Sequence, residues 1–342
     1  MGGPGDVTAP LRGIVAGAGL LGPYWARELV ESADAELVGW VDLERDRARA
    51  AVAALGVDGL PVDASLERLL ADLQPDFFVN VTSPGAHRDT TIAALERGVP
   101  VLTEKPLAAS LTEAEAIVAA ADRTGRLVMV SQNRRYMPEL VAFRDTVAKL
   151  GPLSTLTCEF HIAHRVPDSR FLNTFPQPLL LDMAIHLFDG ARAITGAEPV
   201  SVFCDAYNPP WSWYAGPAAA HAVFRMSGGL RFAFTGNWAA EGFRTSWTGA
   251  WRAVGERGSA TWAGDGAAPQ VEGDGVVAVP PARGRIRGPE RFPGLEDALA
   301  DFVAALRTGR TPAGECHDNL RSLAMCHAAV ESATRGVPVS VP

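Results

Sequence analysis

A glycine-rich turn between two apolar strands near the start of the chain limits what this sequence can fold into. Leu11–Val15 has the pattern of a short apolar strand, and the hexapeptide GAGLLG follows at positions 17–22. A helical pattern begins at Pro23, and a second apolar strand, Glu36–Val41, leads to Asp42. Strand, glycine turn, helix and strand in this order are typical of a dinucleotide-binding βαβ unit.

Each part of this turn has a mechanical reason. Gly17 allows a tight turn, Gly19 lets a pyrophosphate approach the backbone because it has no Cβ, and Gly22 lets helix and strand pack closely. The start of the helix offers free N–H groups to phosphates, and Asp42 can accept hydrogen bonds from ribose hydroxyls. The cofactor-binding residues predicted here are Gly17, Gly19, Leu20, Leu21, Gly22 and Asp42.

The acidic residue also bears on which dinucleotide is bound. Asp42 favours NAD, because a carboxylate repels the 2′-phosphate of NADP. Arg45 and Arg47 follow closely, so NADP stays open as an alternative. A Rossmann-like unit that packs in the same way and binds no nucleotide is the competing interpretation.

Length and composition set the frame for the rest of the chain. The 342 residues are 47% hydrophobic and 20% charged, which indicates a folded protein of two domains. The net charge of −8 argues against a nucleic-acid partner. The four cysteines have no CxxC spacing and are predicted to be reduced, buried thiols. With no signal-peptide pattern and no apolar run of about 18 residues, we expect a cytoplasmic protein without a membrane partner.

Strand and helix patterns alternate from Leu11 to about Ser131, as in an open parallel α/β sheet. The predicted strand ends at Thr82, Thr103 and Ser131 lie at the same edge as the glycine turn, where ligands of such sheets bind. We therefore predict a disordered tail over 1–10 and a dinucleotide-binding Rossmann domain over 11–132. The further cofactor-binding residues predicted at these strand ends are Thr82, Ser83, His87, Glu104 and Lys105.

The pattern changes after Pro138. Consecutive short strands without intervening helices, the last at Gly275–Val279, indicate an α+β domain with a large, mostly antiparallel open sheet. We predict that it covers 133–342, serves substrate binding and oligomerisation, and has a last helix that packs back on the Rossmann domain. Six of the eight tryptophans fall within it. We expect most of them to be core residues, and the alternatives are a sugar-stacking wall or a subunit interface.

Lys105 is the first candidate for chemistry. By spacing alone, Glu104-Lys105-Pro106 is an ordinary surface ion pair before a proline. Its predicted place at the ligand-binding edge favours a functional role, since a lysine beside a nicotinamide can polarise a carbonyl or stabilise a developing alkoxide.

Asp182 and His186 are the second candidates. Within a helix predicted over Leu180–Ile194, their i, i+4 spacing places both on one face. A carboxylate can orient an imidazole, and the imidazole can exchange a proton near neutral pH. A helix carboxylate next to a core histidine is an equally good interpretation, and His87 is likewise a helix-start histidine unless it faces the cofactor. No metal-binding pattern is present, so no metal is predicted.

Together these motifs resemble those of the Gfo/Idh/MocA oxidoreductase family, over about Leu11 to Val341. The resemblance rests on GAGLLG at 17–22, TSPGAH at 82–87, EKP at 104–106, DMAIH at 182–186 and the closing helix with NLRSL at 319–323. Position 184 is Ala where many members have Gly. The resemblance implies a Rossmann domain followed by a domain with a large open sheet, which often forms dimers or tetramers.

The family resemblance also implies a reaction. Most members oxidise or reduce a hydroxyl or carbonyl of a sugar, inositol or related polyol with NAD(P). Carried over, Lys105 is the catalytic lysine, and Asp182 and His186 act on the substrate: His186 takes the hydroxyl proton, Asp182 orients it, and Lys105 stabilises the oxygen. Asn133 matches a loop beside the cofactor. The residues predicted to contact substrate are Arg134, Tyr136 and His161.

Two other functions stay open at this point. Some relatives hold NAD tightly in a glycoside-cleaving cycle and release no net NADH. Others are non-catalytic NAD-binding sensors, although the presence of Lys105, Asp182 and His186 together counts against that function. The expected partners are a small polyol or sugar and further copies of the chain, as a homodimer or homotetramer through the C-terminal sheet.

Overall fold

The computed structural model describes residues 9–165, 174–282 and 292–342. Most of the predicted disordered tail lies outside these residues. The chain divides into two compact units. Of the described residues, the first unit takes those up to Asn133 and those from Phe292 to Leu320, and the second takes the remainder.

The first unit contains a six-stranded parallel sheet in the order β3-β2-β1-β4-β5-β6. Its strands are β1 Leu11–Ala16, β2 Ala35–Val41, β3 Val62–Asp63, β4 Phe77–Asn80, β5 Val101–Glu104 and β6 Val128–Ser131. The helices between them are α1 Gly22–Glu31, α2 Arg45–Leu55, α3 Leu66–Leu73, α4 Pro84–Glu96 and α5 Leu111–Thr124. This order confirms the predicted Rossmann domain.

The central strands are buried on both faces, which explains their continuous apolar runs. All four residues of β4 and of β5 are buried. Phe77 on β4 packs edge-to-face against Phe302, with ring centroids 5.7 Å apart. Phe302 belongs to α8, Leu295–Thr308, which contacts α1 and β6. A helix from late in the sequence thus completes the packing of the first unit.

The second unit is built on an eight-stranded sheet in the order β13-β12-β11-β7-β10-β9-β8-β14. Its strands are β7 Leu153–His161, β8 Pro199–Tyr207, β9 Ala219–Met226, β10 Arg231–Asn237, β11 Ala250–Gly255, β12 Gly258–Trp262, β13 Gln270–Glu272 and β14 Val339–Ser340. Only the β7–β10 pair is parallel among these described strands. The predicted mostly antiparallel sheet is therefore confirmed.

Helices cover one face of this sheet. They are α6 Pro138–Val147 and α7 Ala184–Thr195, and α9 Cys316–Arg335 begins in the first unit and ends in the second. Phe188 of α7 packs against Phe224, Phe232 and Phe234 of β9 and β10, with ring centroids 4.8–6.1 Å apart. The other face carries exposed apolar side chains, among them Phe203.

Two local predictions for the second unit are wrong. The strand predicted at Gly275–Val279 is absent, and the edge strand is Gln270–Glu272 instead. The predicted helix over Leu180–Ile194 is a π-helical turn, Pro178–Met183, followed by α7. Pro178 opens that turn, and Met183 has α-region backbone angles, so the two segments join without a break that the sequence pattern could reveal.

Two predictions from composition can also be compared with the structure. All four cysteines are free and buried, as predicted. Among the described residues, no helix has the length and apolar content needed to cross a bilayer.

Candidate active site

The glycine turn after β1 has two positions where the fold requires glycine and one where it leaves space. Gly17 has φ +101°, and a Cβ there would lie 2.4 Å from the Val81 carbonyl oxygen. A Cβ on Gly22 would lie 2.2 Å from the Gly17 carbonyl oxygen. A Cβ on Gly19 would meet no atom of the chain within 4 Å. The turn therefore leaves the backbone at Gly19 open to a close ligand such as a pyrophosphate.

The start of α1 is suited to an anion. Leu20 is exposed, and Leu21 is the N-cap residue of α1 without a side-chain capping bond. The helix has no acidic residue in its first turn. Because no side-chain cap satisfies its first N–H groups, this helix end can bind the phosphates of a dinucleotide.

Asp42 follows β2 directly and is buried. Its carboxylate accepts hydrogen bonds from the backbone N–H of Ala18 at 2.6 Å and of Glu44 at 2.8 Å. Arg47 donates to both carboxylate oxygens, at 2.8 and 3.0 Å. Burial by itself raises the pKa of Asp42, but these hydrogen bonds outweigh it and hold the pKa below its usual value. Asp42 is therefore ionised and fixed beside the glycine turn.

The end of β4 lies next to this turn, since β1 and β4 are paired. The Asn80 side-chain oxygen accepts hydrogen bonds from the Thr82 hydroxyl at 2.7 Å and the Thr82 N–H at 3.3 Å. Ser83 is the N-cap residue of α4, and its side chain is exposed and makes no capping bond. The start of α4 is thus a second helix end facing the sheet edge where the predicted Thr82 and Ser83 contacts lie.

His87 lies buried beneath the segment that follows β5. One ring nitrogen lies 2.8 Å from the Pro106 carbonyl oxygen, and the other lies 3.0 Å from the Thr82 carbonyl oxygen. Burial lowers the pKa of His87, although the carbonyl groups act in the opposite direction. His87 therefore links the chain after β4 to the chain after β5, which is a positioning role.

Glu104 is the last residue of β5 and Lys105 follows it, two strands away from β1 at the same sheet edge. Glu104 is buried, accepts a 2.7 Å hydrogen bond from the Trp25 indole, and accepts another from the Lys105 N–H at 3.2 Å. Burial raises the pKa of Glu104, against the effect of both donors. The pair is therefore no ordinary surface ion pair, because its carboxylate is shut inside the fold and fixes the backbone of Lys105.

Asn133 follows β6 and is buried. Its amide nitrogen donates a 2.8 Å hydrogen bond to the Pro293 carbonyl oxygen, within the first unit. This bond uses the donor side of the amide to hold the segment before α8. The predicted contact of Asn133 with the cofactor stays a prediction.

In the second unit, Asp182 and His186 lie on either side of the junction between the π-helical turn and α7. The Asp182 charge affects the pKa of two aromatic neighbours. Burial lowers the pKa of His164, and the Asp182 charge opposes this shift. Burial raises the pKa of Tyr214 to about 12, and the Asp182 charge contributes in the same direction. Trp238 stacks on both rings, at 5.4 and 5.6 Å. Asp182 is thus next to an aromatic cluster formed by His164, Tyr214 and Trp238.

The three predicted substrate residues are placed differently. Arg134 and Tyr136 belong to the 3₁₀ turn Asn133–Tyr136, and an Nη atom of Arg134 lies 3.8 Å from the Met183 sulfur. His161 is the last residue of β7. Cys158 on the same strand is buried and interacts electrostatically with Arg134, so its side chain lies on the helix-covered face. By strand alternation, the side chain of His161 lies on the opposite face. The structure brings Arg134 near the Asp182 segment, and the predicted substrate contact of His161 stays a prediction.

Several residues that shape this edge escaped the sequence prediction. Trp25, which binds Glu104, lies inside a helix pattern and looks like any core residue. Asn80, at the end of an apolar strand, is a signal that could have been used, since a buried amide needs partners. Arg47 was noted only as a possible partner of a phosphate, and its bidentate contact with Asp42 could not be read from spacing.

Two family models match the chain. One, described as an oxidoreductase family with an NAD-binding Rossmann fold, matches residues 11–132. The other, described as the GFO/IDH/MocA C-terminal domain, matches residues 144–261. Together they account for most of both units.

Individual relatives agree with these matches. An inositol 2-dehydrogenase of Saccharopolyspora erythraea is 33% identical over 201 residues, 56% of each chain. D-apiose dehydrogenase of Paraburkholderia graminis is 27% identical over 320 residues, which cover 90% of this chain and 83% of that protein. A crystal structure of an oxidoreductase from Agrobacterium radiobacter, in complex with NAD⁺, L-tartaric acid and magnesium, superposes with a TM-score of 0.89. It covers 97% of this chain and 98% of that one at 20% identity, which is a likeness of fold.

Proposed function

The chain belongs to the Gfo/Idh/MocA oxidoreductase family, with an NAD-binding Rossmann domain, and from this premise we propose that it transfers a hydride between NAD and a hydroxyl or carbonyl carbon of a sugar, inositol or related polyol. The observation that carries the proposal is Lys105 at the carboxyl end of β5, at the same sheet edge as the glycine turn. The buried Glu104 beside it fixes its backbone.

The residue type at position 105 supports a chemical role. Lys105 and Lys149 are the two lysines among the chain's 31 Lys and Arg residues. An ammonium group can both donate a hydrogen bond to an alkoxide-like oxygen and give up a proton, whereas a guanidinium keeps its charge. A chain that uses arginine nearly everywhere else thus has lysine at the position where proton exchange is useful.

The residues that would hold the cofactor fit it. Gly19 leaves the space that a pyrophosphate needs, the starts of α1 and α4 lack side-chain caps, and Asp42 is ionised for the ribose hydroxyls. NAD⁺ supplies the hydride acceptor when bound. Arg47 already neutralises Asp42 in part, so NADP remains an alternative cofactor.

We assign the transfer of the substrate's hydroxyl proton to residues of the second unit. We assign His186 as the base that takes the substrate's hydroxyl proton and Asp182 as the group that orients substrate or imidazole. Lys105 is assigned to stabilise the negative charge that develops on oxygen during the transfer. The roles of His186 and Asp182 come from the family resemblance. The Asp182 carboxylate and the aromatic rings next to it are consistent with a polyol ligand.

The proposal extends to assembly and location. The face of the second sheet without helices carries Phe203, Tyr207 and Val223, each at least 42% exposed. Exposed apolar side chains in a row on one sheet face favour contact with another copy of the chain, as a homodimer or homotetramer. A cytoplasmic location remains part of the proposal.

The test is substrate-dependent NADH formation, at 340 nm, across a panel of inositols, aldoses, aldonates and alditols. We expect at least one polyol to be oxidised by the wild-type protein. Lys105→Met and His186→Ala should lower kcat by roughly 10²–10⁴-fold, the range usual for proton-transfer groups, while NADH binding persists.

Lys149→Met is the matched control, because it changes the other lysine, which is exposed and bound to the Val277 carbonyl oxygen. It should leave turnover unchanged. Activity at the wild-type level in both Lys105→Met and His186→Ala would overturn the residue assignment. Glycoside cleavage without net NADH would favour the hydrolase alternative, and tight NADH binding with no turnover would favour a sensor.

A further inference from the structure

Arg134 in the second unit is partly buried, and it differs from two other arginines of that unit in what neutralises it. Its Nη1 atom is out of contact with solvent and has no hydrogen-bond partner in the described chain. The other terminal nitrogen has only the Met183 sulfur, at 3.8 Å. A sulfur atom is a weak acceptor, so no oxygen of the described residues satisfies the terminal nitrogens of this guanidinium.

Two other arginines of the same unit, Arg135, which is partly buried, and Arg192, which is buried, each have a carboxylate partner. Arg135 forms a bidentate pair with Asp189 at 2.6 and 2.7 Å. Arg192 forms a bidentate pair with Glu198, with both distances 2.9 Å. Such planar, two-point contacts are the preferred way to satisfy a guanidinium. Arg134 stands directly beside Arg135 in sequence and has no such contact within the described residues.

No carboxylate of the described residues forms an ion pair with Arg134. The carboxylate that influences it most is Asp265, whose Oδ1 accepts a 2.7 Å hydrogen bond from the Thr248 hydroxyl and forms no ion pair with Arg134. Cys158 beside it is a buried thiol whose pKa burial raises well above the usual value, so it stays neutral. Burial lowers the pKa of Arg134 to about 10, and the group is therefore still charged at neutral pH. A cation that is largely removed from water and has no ion-pair partner among the described residues is costly unless a ligand supplies one.

The place of Arg134 connects it to the proposed substrate residues. Met183, which it contacts, follows Asp182 directly and precedes α7 with His186. The indole nitrogen of Trp238 is a second buried donor without an acceptor among the described residues. The Trp238 ring stacks on the rings of His164 and Tyr214, and the Asp182 charge affects the pKa of both residues. Two unsatisfied donors therefore flank the Asp182–Met183 segment inside one unit.

We infer that Arg134 binds a carboxylate of the substrate, so that the natural substrate is a polyhydroxy acid, such as a uronate or aldonate, rather than a neutral polyol. This inference rests on the proposed function and narrows its substrate class. The planar carboxylate matches the guanidinium fork, and the hydroxyl to be oxidised would lie on the same molecule near Asp182 and His186.

The test compares matched acid and neutral compounds: galacturonate with galactose, glucuronate with glucose, and gluconate with sorbitol. Each is added to the full-length protein with saturating NAD⁺, and both thermal stabilisation and NADH formation are recorded. We expect the acid of at least one pair to be preferred by roughly ten- to hundredfold, as for hydrogen bonds to charged groups. Because carboxylate and guanidinium both stay ionised, the preference should be flat from about pH 6 to 9.

The variants are Arg134→Met, Arg134→Lys and, as a matched control, Arg225→Met on the exposed side of β9. Arg134→Met should abolish the acid preference while NADH binding and the melting temperature without substrate are kept, because no ion pair is lost. Arg134→Lys should restore part of the preference, and Arg225→Met should resemble the wild type.

The outcomes separate this inference from the proposed function. Neutral polyols turned over as well as their acids would overturn the carboxylate assignment and leave the proposed function intact. Acids that stabilise the protein only when Arg134 is present, with no NADH formed, would support the assignment while the proposed function fails. Acids that neither stabilise the protein nor react would overturn the inference. A large loss of melting temperature in Arg134→Met would show a structural role and also overturn it.

Discussion

Gly17 and Gly19 stand two residues apart and would respond differently to the same methyl group. At Gly17 the added Cβ meets the Val81 carbonyl oxygen at 2.4 Å, and φ is +101°. At Gly19 it meets no atom of the chain within 4 Å. The first glycine is thus required by the fold, and the second is required only if a ligand approaches the turn.

We predict opposite results for two alanine variants. Gly17→Ala should lower the free energy of unfolding without cofactor by about 1–3 kcal/mol, the usual range for backbone strain. Gly19→Ala should leave that free energy unchanged and weaken NADH binding roughly tenfold or more, since its methyl group occupies the pyrophosphate space. Urea denaturation and tryptophan-quenching titration measure the two quantities. Wild-type NADH affinity in Gly19→Ala would contradict a pyrophosphate at this turn.

Residues such as Gly17, Asp42 and Lys105 could be selected from the sequence because each has a fixed position in a motif, and their roles toward cofactor and substrate stay predictions. Arg134 could be selected from the sequence, but its missing partner could not, because an ion pair depends on which distant carboxylates the fold brings close. Arg135 and Arg134 are neighbours of the same type, and only the structure shows that Asp189 neutralises the first. The residue type predicts which interactions a side chain can form, and the tertiary contacts determine whether another residue of the chain already forms them.

At the scale of elements, His87 links the ends of β4 and β5 by facing the carbonyl oxygens of Thr82 and Pro106. Because burial holds its pKa below the usual value, the folded protein keeps His87 neutral while the unfolded chain binds a proton near pH 6.5. Its contribution to stability is therefore complete above about pH 6.5 and is lost as the pH falls below it.

We predict that the melting temperature of the wild type falls between pH 7.5 and 5.5, and that His87→Gln shows a shallower fall. His317 is a control of opposite sign, because its hydrogen bond with Glu315, and next its contact with Asp122, raise its pKa. Its stabilisation is present at low pH and is lost as the pH rises, so His317→Gln should lose more stability at pH 5.5 than at 7.5. Parallel pH curves for the wild type and His87→Gln would refute the link.

Elements were predictable where one pattern dominates. The parallel strands β4 and β5 are apolar throughout, and the alternating β9 shows every second residue buried over most of its length. The π-helical turn Pro178–Met183 could not be predicted, since its apolar residues fit an α-helix equally well. The strand Gln270–Glu272 lies at the sheet edge with two of its three residues exposed, so no hydrophobic pattern marks it.

At the scale of the molecule, the chain is two units, one with a parallel sheet and one with a mostly antiparallel sheet. The order of elements gave both architectures, because strand–helix alternation and consecutive strands specify different sheets. The membership of α8 in the first unit was not visible in its sequence, since an amphipathic stripe shows that a helix packs but not where. The extents assigned to the two domains remain a prediction.

In the proposed reaction, a hydride moves from a carbon of a hydroxylated substrate to NAD⁺ held by the first unit. Deuterium transfer tests it most directly. The best substrate of the panel, deuterated at its hydroxyl-bearing carbons, is incubated with NAD⁺ and the wild-type protein, and the reduced cofactor is analysed by mass spectrometry. We predict one deuterium in each NADH formed and a slower rate than with the unlabelled substrate. NADH without deuterium, or substrate conversion with no reduced cofactor, would contradict the account.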